Sequence, residues 1–562
     1  MKLQSATEKI LIDCLLITLA IFIPYSQVAQ HRFIEFDDGI YAFQNTFIIQ
    51  GLTWDSLVWA FTNTDTANWH PITWITHLID REIFGPHAGG YLLMNVAWHT
   101  AASCLCYVAF LRCTKKRLFA LTVALIFALH PANVENVAWT SERKSLVDAF
   151  FWFLGTIAYL DYIETKKLKF LGIVFITHLL GLMAKPMNVT FPCTLVLVHL
   201  LYLTSNANSR EISFQEYRQT LFTSLKSLWP LLLLSGYFSL VTASAQTMAM
   251  SSVAAHPVSA RIINALQAYE AYVRMFFNPG QLAPFYPLFM SEPDLAKAMV
   301  SLLLLGCITL LFVFFAFKKQ PVPLLGWLWF LGTMVPVIGL VQVGAQSHAD
   351  RYLYIPMIGL AFVFPALFDA FAGWKIKSRQ FFQSAWLAAT ALALTLATNI
   401  QVSYWKDGVS LFKHALQVTG DCVTSVNCLT CAYLRLERYS EAIAFLESKI
   451  LVAKNPSNIS KFHSMMSQAQ LMLGKYDAAV ESATQSISEG RIETINYWVM
   501  ANAYYKLNKP ELATQNLNCA KALLGPLTPV QLNDRNMRDS MTFLEAAIKV
   551  PLTSSSSSTS VH

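Results

Sequence analysis

Apolar runs long enough to cross a hydrocarbon core of roughly 30 Å recur through the first 400 residues and then stop. They predict eleven membrane helices, near 11–29, 91–111, 118–134, 146–163, 168–184, 189–204, 228–245, 296–317, 322–343, 352–373 and 381–401. Past residue 402 the pattern changes to amphipathic helical pairs with small residues at fixed offsets. Ala442, Ala479 and Ala513 recur at separations of 37 and 34 residues, after the turns Glu437-Arg438-Tyr439, Gly474-Lys475-Tyr476 and Asn508-Lys509-Pro510. Twelve residues before each stands Thr430, Ser467 or Ala501, small enough for two helices to cross closely.

That spacing resembles the tetratricopeptide repeat, whose stacked units form a curved array with a concave face for peptides or partner proteins. Three repeats, a leading helix near 408–418 and a closing helix near 531–549 fill residues 402–550. The expected fold is all-α: a polytopic membrane bundle over 1–401, an α-solenoid over 402–550 and a disordered Ser-rich tail over 551–562.

Composition agrees. With 562 residues, 55% hydrophobic and 13% charged, the chain carries too much apolar surface to be a soluble multidomain protein. Basic clusters fall at every second connection: Lys2 and Lys9, then Arg112, Lys115, Lys116 and Arg117, then Lys166, Lys167 and Lys169, then Lys318 and Lys319, then Lys375, Lys377 and Arg379. By the positive-inside rule these face the cytoplasm. The connections at 30–90, 130–145, 185–188, 246–295 and 344–351, and everything after 402, then face outward. That side is a periplasm if the membrane is a bacterial inner membrane, or the lumen of the endoplasmic reticulum. No small-residue cleavage site follows the first span, so it reads as a retained helix. The inner clusters account for the net charge of +7, and no nucleic-acid partner is implied. Six of the ten cysteines lie in or beside spans; Cys422, Cys428, Cys431 and Cys519 lie in the outer part, where a structural disulfide is the expected chemistry.

The outer connections hold more polar chemistry than an anchor needs. Adjacent carboxylates, Asp37 and Asp38, follow the first span, and a stretch with Asn68, Trp69, His70, Trp74, His77 and Asp80 comes after them. The second outer connection carries His130, Asn133, Glu135, Asn136, Glu142, Arg143 and Lys144. Tyr91, Asn95 and His99, four apart, line one stripe of the second span near its outer end. Polar groups at that depth call for a water-filled cavity or protein partners. Taken alone, the acid pair also suits a water-interface marker or a helix cap, and the basic residues at span ends suit headgroup anchors.

The strings Asp37-Asp38 with Asn45, Gly51-Leu52-Thr53-Trp54, Trp59-Ala60-Phe61-Thr62, Asn68-Trp69-His70-Pro71, Leu182-Met183-Ala184-Lys185-Pro186-Met187, and Gly339-Leu340-Val341-Gln342-Val343-Gly344 followed by Asp350-Arg351-Tyr352 resemble the transmembrane and tetratricopeptide repeat-containing family. That family belongs to the GT-C glycosyltransferase superfamily, and its animal members are implicated in protein O-mannosylation. The short repeat array resembles bacterial members. Two positions depart: Asn133 stands where such sequences read a second His, and Ser145 where they read Asp.

The resemblance implies sugar transfer from a polyprenyl phosphate to a protein Ser or Thr hydroxyl, with the repeats engaging the acceptor. A lipid or polysaccharide acceptor, or a non-catalytic scaffold with peptide-binding repeats, are the competing readings. Asp37 is the expected base, with Asp38 orienting it or holding a cation. Arg143, Lys144, Lys185 and Arg351 are the expected donor-phosphate ligands. Asn68, His70, His77, Asn95, His99, His130, Glu135, Glu142 and Tyr352 are expected to line the cavity. Asp38, Glu135 and Glu142 suit Mg²⁺ or Mn²⁺ if a metal is used, and His70, His77, His99 and His130 suit zinc by ligand type. The amphipathic stretch 265–277, with Pro284-Phe285-Tyr286-Pro287, is expected to cover the cavity.

Overall fold

A computed structural model describes residues 6–64, 68–207, 211–246, 257–288, 294–340, 344–370, 379–524 and 532–549. Residues 341–343 of the family-like motif, Lys375, Lys377, parts of the 246–295 connection and the Ser-rich tail lie outside these. Two compact units form: one of Met1–Phe43 and Phe47–Gly420, the other of Gln44–Thr46 and Asp421–His562.

The first unit is an all-α membrane bundle. Among the described residues seven helices are long and apolar enough to cross a membrane: Thr7–Gln30, Ala88–Thr114, Thr140–Thr165, Pro186–Ser205, Phe214–Ala245, Leu295–Phe317 and Phe381–Tyr404. The other four expected segments also fall on helices, but broken or short ones. Arg117–Leu129 and Pro131–Ala138 meet at a 53° bend, and Leu168–Leu182, Val322–Met334 and Met357–Ala366 are the shorter apolar helices.

Proline is the common cause. A proline lacks the amide proton that continues a helix and pushes the residue before it into extended backbone. His130, before Pro131, has ψ 129°, and Lys185, before Pro186, has ψ 130°. Val322–Met334 ends just ahead of Val335-Pro336, and Met357–Ala361 begins just after Pro356. These breaks put irregular backbone, and with it His130, Lys185 and Arg351, at the ends of spans. Where the short helices cross they approach closely: a methyl group on Gly326 or Gly359 would overlap the other's carbonyl oxygen. Trp152, Trp329, Phe110 and Phe362 fill the core beside that crossing.

The amphipathic helix is Val258–Phe277, and it is followed by a two-stranded antiparallel ladder, Tyr286–Pro287 with Gln346–His348. Tyr286 stacks on His348 at 4.1 Å, and its hydroxyl donates to Asp350 at 2.8 Å. The leading helix, Gly408–Thr419, belongs to this unit and not to the repeats. Its Phe412 meets Phe36, its His414 stacks on Tyr404, and that imidazole bonds the Leu282 carbonyl at 3.1 Å.

The second unit is a run of antiparallel helix pairs: Val423–Arg435 with Tyr439–Ile450, Pro456–Met472 with Tyr476–Ser488, and Thr494–Lys506 with Pro510–Leu523, then Leu532–Lys549. Glu437, Gly474 and Asn508 take positive φ at the three turns, the left-handed step that ends one helix and frees the chain to reverse. All six small positions, Thr430, Ala442, Ser467, Ala479, Ala501 and Ala513, are fully buried. No disulfide joins any of the ten cysteines. Cys428 and Cys431 share one helix three residues apart, where β-carbons stand about 5–6 Å apart, beyond the roughly 3.5–4.5 Å a disulfide needs.

Candidate active site

The site is assembled from span ends and the connections between them. Asp38 closes the first connection onto the second: its carboxylate accepts the Ile34 amide at 2.9 Å, the Ser141 amide at 3.2 Å and the Ser141 hydroxyl at 3.0 Å. It is fully buried, and burial pushes its pKa up to about 7 against those three bonds. With its oxygens so committed, Asp38 orients the turn and is not arranged to hold a cation. Its neighbour Asp37 is half-buried, within electrostatic reach of Lys144, Arg351 and Glu142. Burial outweighs those two charges and raises the Asp37 pKa above the usual carboxylate range.

Glu142 is the hub. Lys144 Nζ stands 3.0 Å from one of its oxygens, Lys185 Nζ 3.4 Å from the other, and Arg351 Nε 3.6 Å away. Ser145, one of the two residues that depart from the family-like pattern, accepts a hydrogen bond from Lys185 Nζ at 2.6 Å and donates one to Glu142 at 2.6 Å. Lys144 also lies over the Tyr41 ring at 5.1 Å. Arg351 is held by Glu135 and stacks over Trp139 and Tyr352, at 5.7 and 4.9 Å. A narrow cleft, with a cavity volume of only about 10 Å³, lies among Ser145, Asp148, Lys185, Arg351 and Tyr354. A larger opening is lined by Lys116, Glu211 and Lys319, with Lys319 paired to Glu211.

Several expected site residues are instead committed to the fold. Arg143 is fully buried, bonded to Asp80 at 2.6 Å, to the Tyr91 carbonyl at 2.7 Å and to Asn95, so its guanidinium is not presented to a phosphate. Asn95 donates to the carbonyls of Val137 and Trp139. His99 bonds Tyr354 and the Ala128 carbonyl, and His130 bonds the Phe276 carbonyl at 2.9 Å while stacking on that ring. Asn133, the other departure, bonds the Phe127 carbonyl at 2.6 Å and packs on Met357, a structural role.

His70 and His77 are buried with Tyr41 and Trp74, and none of their ring nitrogens has a hydrogen-bond partner among the described residues. Burial drives the His70 pKa down to about 3 and holds His77 well below its ordinary value, so both are neutral. Asn68 is half-buried next to Trp69, whose ring meets Phe238. Tyr352 accepts from Gln346 at 3.1 Å beneath the Arg351 guanidinium.

The donor sets do not fit a metal. Glu135 and Glu142 are matched to cations and Asp38 to amide and hydroxyl protons, and among the described residues no three His, Cys, Asp or Glu side chains gather as metal ligands. The four histidines are separated into the pairs of contacts just given.

One polar chain gives no signal in the sequence reading. Asn188 donates to Asp148 and accepts from His178 at 2.6 Å, and His178 reaches the Ser235 hydroxyl at 3.0 Å. Asp148, His178 and Ser235 sit inside apolar runs and Asn188 in the short connection between two, so no local spacing links them.

No protein-family model matches the chain. Among characterised proteins it is similar to the protein O-mannosyl-transferase Tmtc1 of Drosophila melanogaster, 24% identical over 124 residues. The match spans 22% of this chain and 14% of that protein's length.

Proposed function

We propose that this chain is a membrane glycosyltransferase of GT-C type that moves a sugar from a polyprenyl-phosphate donor to a protein hydroxyl on the outer side of the membrane. The distant similarity to a protein O-mannosyl-transferase supports sugar transfer and makes mannose the first sugar to test. The observation that carries the reading is the convergence of Lys144, Lys185 and Arg351 on Glu142, within electrostatic reach of the half-buried Asp37.

In the reaction, Asp37 takes the proton of the acceptor hydroxyl as its oxygen bonds to the anomeric carbon. The bond from that carbon to the phosphate oxygen breaks, and the electron pair leaves with the polyprenyl phosphate. Lys185 and Arg351, with Lys144, supply positive charge to that departing group. Asp38 keeps Asp37 in register by clamping the turn to Ser141. The repeats of the second unit would choose the acceptor.

Purified protein with a radiolabelled polyprenyl-phosphate mannose tests this. Replacing Asp37 by Asn keeps the shape and removes the base, so turnover should fall roughly 10²- to 10⁴-fold with unchanged thermal stability. Unchanged turnover would sink the assignment. Mass spectrometry of envelope proteins with and without the gene identifies acceptor and sugar.

A further inference from the structure

The helix Trp54–Thr62 follows the acid pair and lies outside every long apolar span. Its inner face, Ser56, Trp59 and Ala60, is buried, with Trp59 and Ala60 in a cluster with Tyr41, Ile48, Trp74 and Leu78. Its outer face carries Trp54, 77% exposed, Val58, 46%, and Phe61, 45%. Spaced four and three apart, these form a single stripe about 60° wide. Asp55 and Thr62, also exposed, border the stripe on one side. An aqueous surface gives no reason for an amphipathic helix to turn Trp, Val and Phe outward while polar residues stand at the edge.

The surroundings identify the cover. Trp69 donates its indole proton to the Phe61 carbonyl at 2.8 Å, and its ring packs on Phe238 at 5.6 Å. Phe238 belongs to the membrane span Phe214–Ala245, and Leu233, Tyr237 and Leu240 beside it are exposed on that span. The stripe therefore runs on into a surface that lipid must cover. Phe238 is about 10 Å along the helix from Ala245, at 1.5 Å per residue, the depth at which interfacial helices bury their apolar faces.

We infer that Trp54–Thr62 is an interfacial helix, its Trp54, Val58 and Phe61 face seated in the acyl boundary of the lipid bilayer. Because Trp59 packs with Tyr41, four residues past Asp37, the bilayer itself then sets the height of the acid pair. This inference is independent of the transferase reading, since its test uses no substrate.

The full-length protein is reconstituted in phosphatidylcholine vesicles whose acyl chains are brominated near the headgroup, and fluorescence is compared with that of Trp54→Phe. The difference signal, which belongs to Trp54, should be quenched by the lipid bromine at least about twofold more than by aqueous iodide, as expected for a face buried in the headgroup–acyl boundary. Trp59→Phe is the folded control, and its difference signal should respond to neither quencher. Stronger iodide quenching of the Trp54 signal overturns the inference. So does a Trp54 signal reached by neither quencher together with a dimer by light scattering, because a second copy would then cover the face.

Discussion

Glu135 holds Arg351 at two points, 216 residues apart in the chain: one carboxylate oxygen takes the guanidinium at 2.7 Å and the other takes the Arg351 amide at 2.7 Å. The bond fixes both where the cation points and where its backbone lies. Asn136, next in sequence, adds a bond from its amide to the Arg351 carbonyl at 3.2 Å. A proline-broken span end is thus fastened to a second proline-broken span end, and Arg351 reaches Glu142 already oriented.

Removing the carboxylate leaves a nearly buried guanidinium without its main partner. Losing one member of a buried pair typically costs about 3–5 kcal/mol. Glu135→Ala should therefore lower the melting temperature in detergent, while Glu135→Gln, which still accepts the backbone proton, should lower it less. Equal losses in the two variants would show that the charge contributes nothing.

Arg143 and Asp80 offer a sharper separation of structure from chemistry. Their ion pair is fully buried at 2.6 Å, so Asp80→Ala or Arg143→Ala alone should destabilise the bundle by about 3–5 kcal/mol. An apolar pair of similar volume, Asp80→Leu with Arg143→Met, should recover much of that loss and retain donor binding. If the double variant folds but no longer binds the donor, Arg143 returns to the phosphate site.

The sequence makes the helices legible because apolar runs are a local signal, and each of the eleven expected segments falls on one. It does not make their breaks legible to a count of hydrophobic residues, although Pro131, Pro186, Pro336 and Pro356 were in plain view. The acid pair, Lys185 and Arg351 stand out by position and type, as charged residues at the ends of apolar runs. Arg143 stands at a span end, a position that suits a phosphate ligand; that Asp80 and Asn95 converge on it from other elements is tertiary information. The same holds for Glu142, whose partners lie 2, 43 and 209 residues away. Asp148 and His178 are single polar residues within apolar runs and Asn188 lies in the connection between two, so nothing local marks them as partners. The stripe Trp54, Val58 and Phe61 was legible at helical spacing, but only packing shows which face is out.

Asp37 should impose a pH dependence on transfer. Its pKa is raised by burial, with Lys144 and Arg351 opposing, so the proton is held to higher pH than on a free carboxylate at about 4. The base form is the active one; activity should be lost as pH falls through that raised value and level off above it. In Arg351→Gln one of the opposing charges is gone, and the acid limb should move to higher pH. A limb that stays fixed in that variant would mean another group titrates.

Glu142 sits among Lys144, Lys185 and Arg351, and this gives two substitutions opposite signs. A polyprenyl-phosphate sugar brings one negative charge to a cluster in which three cations already face Glu142, Glu135 and Asp37. Lys185→Gln subtracts a positive charge at the cavity wall and should weaken donor binding by about tenfold. Two unit charges 5 Å apart at an effective dielectric constant near 20 interact by roughly 3 kcal/mol, of which solvent at the mouth leaves about half. Glu142→Gln removes a competing anion and should tighten donor binding by a similar factor. It should also slow turnover, because the cations that meet the leaving phosphate lose the carboxylate that holds them together. Equilibrium binding of a short-chain polyprenyl phosphate to each purified variant reads both effects. Shifts in the same direction would mean that shape and not charge controls the site, and no shift in either would place the phosphate elsewhere.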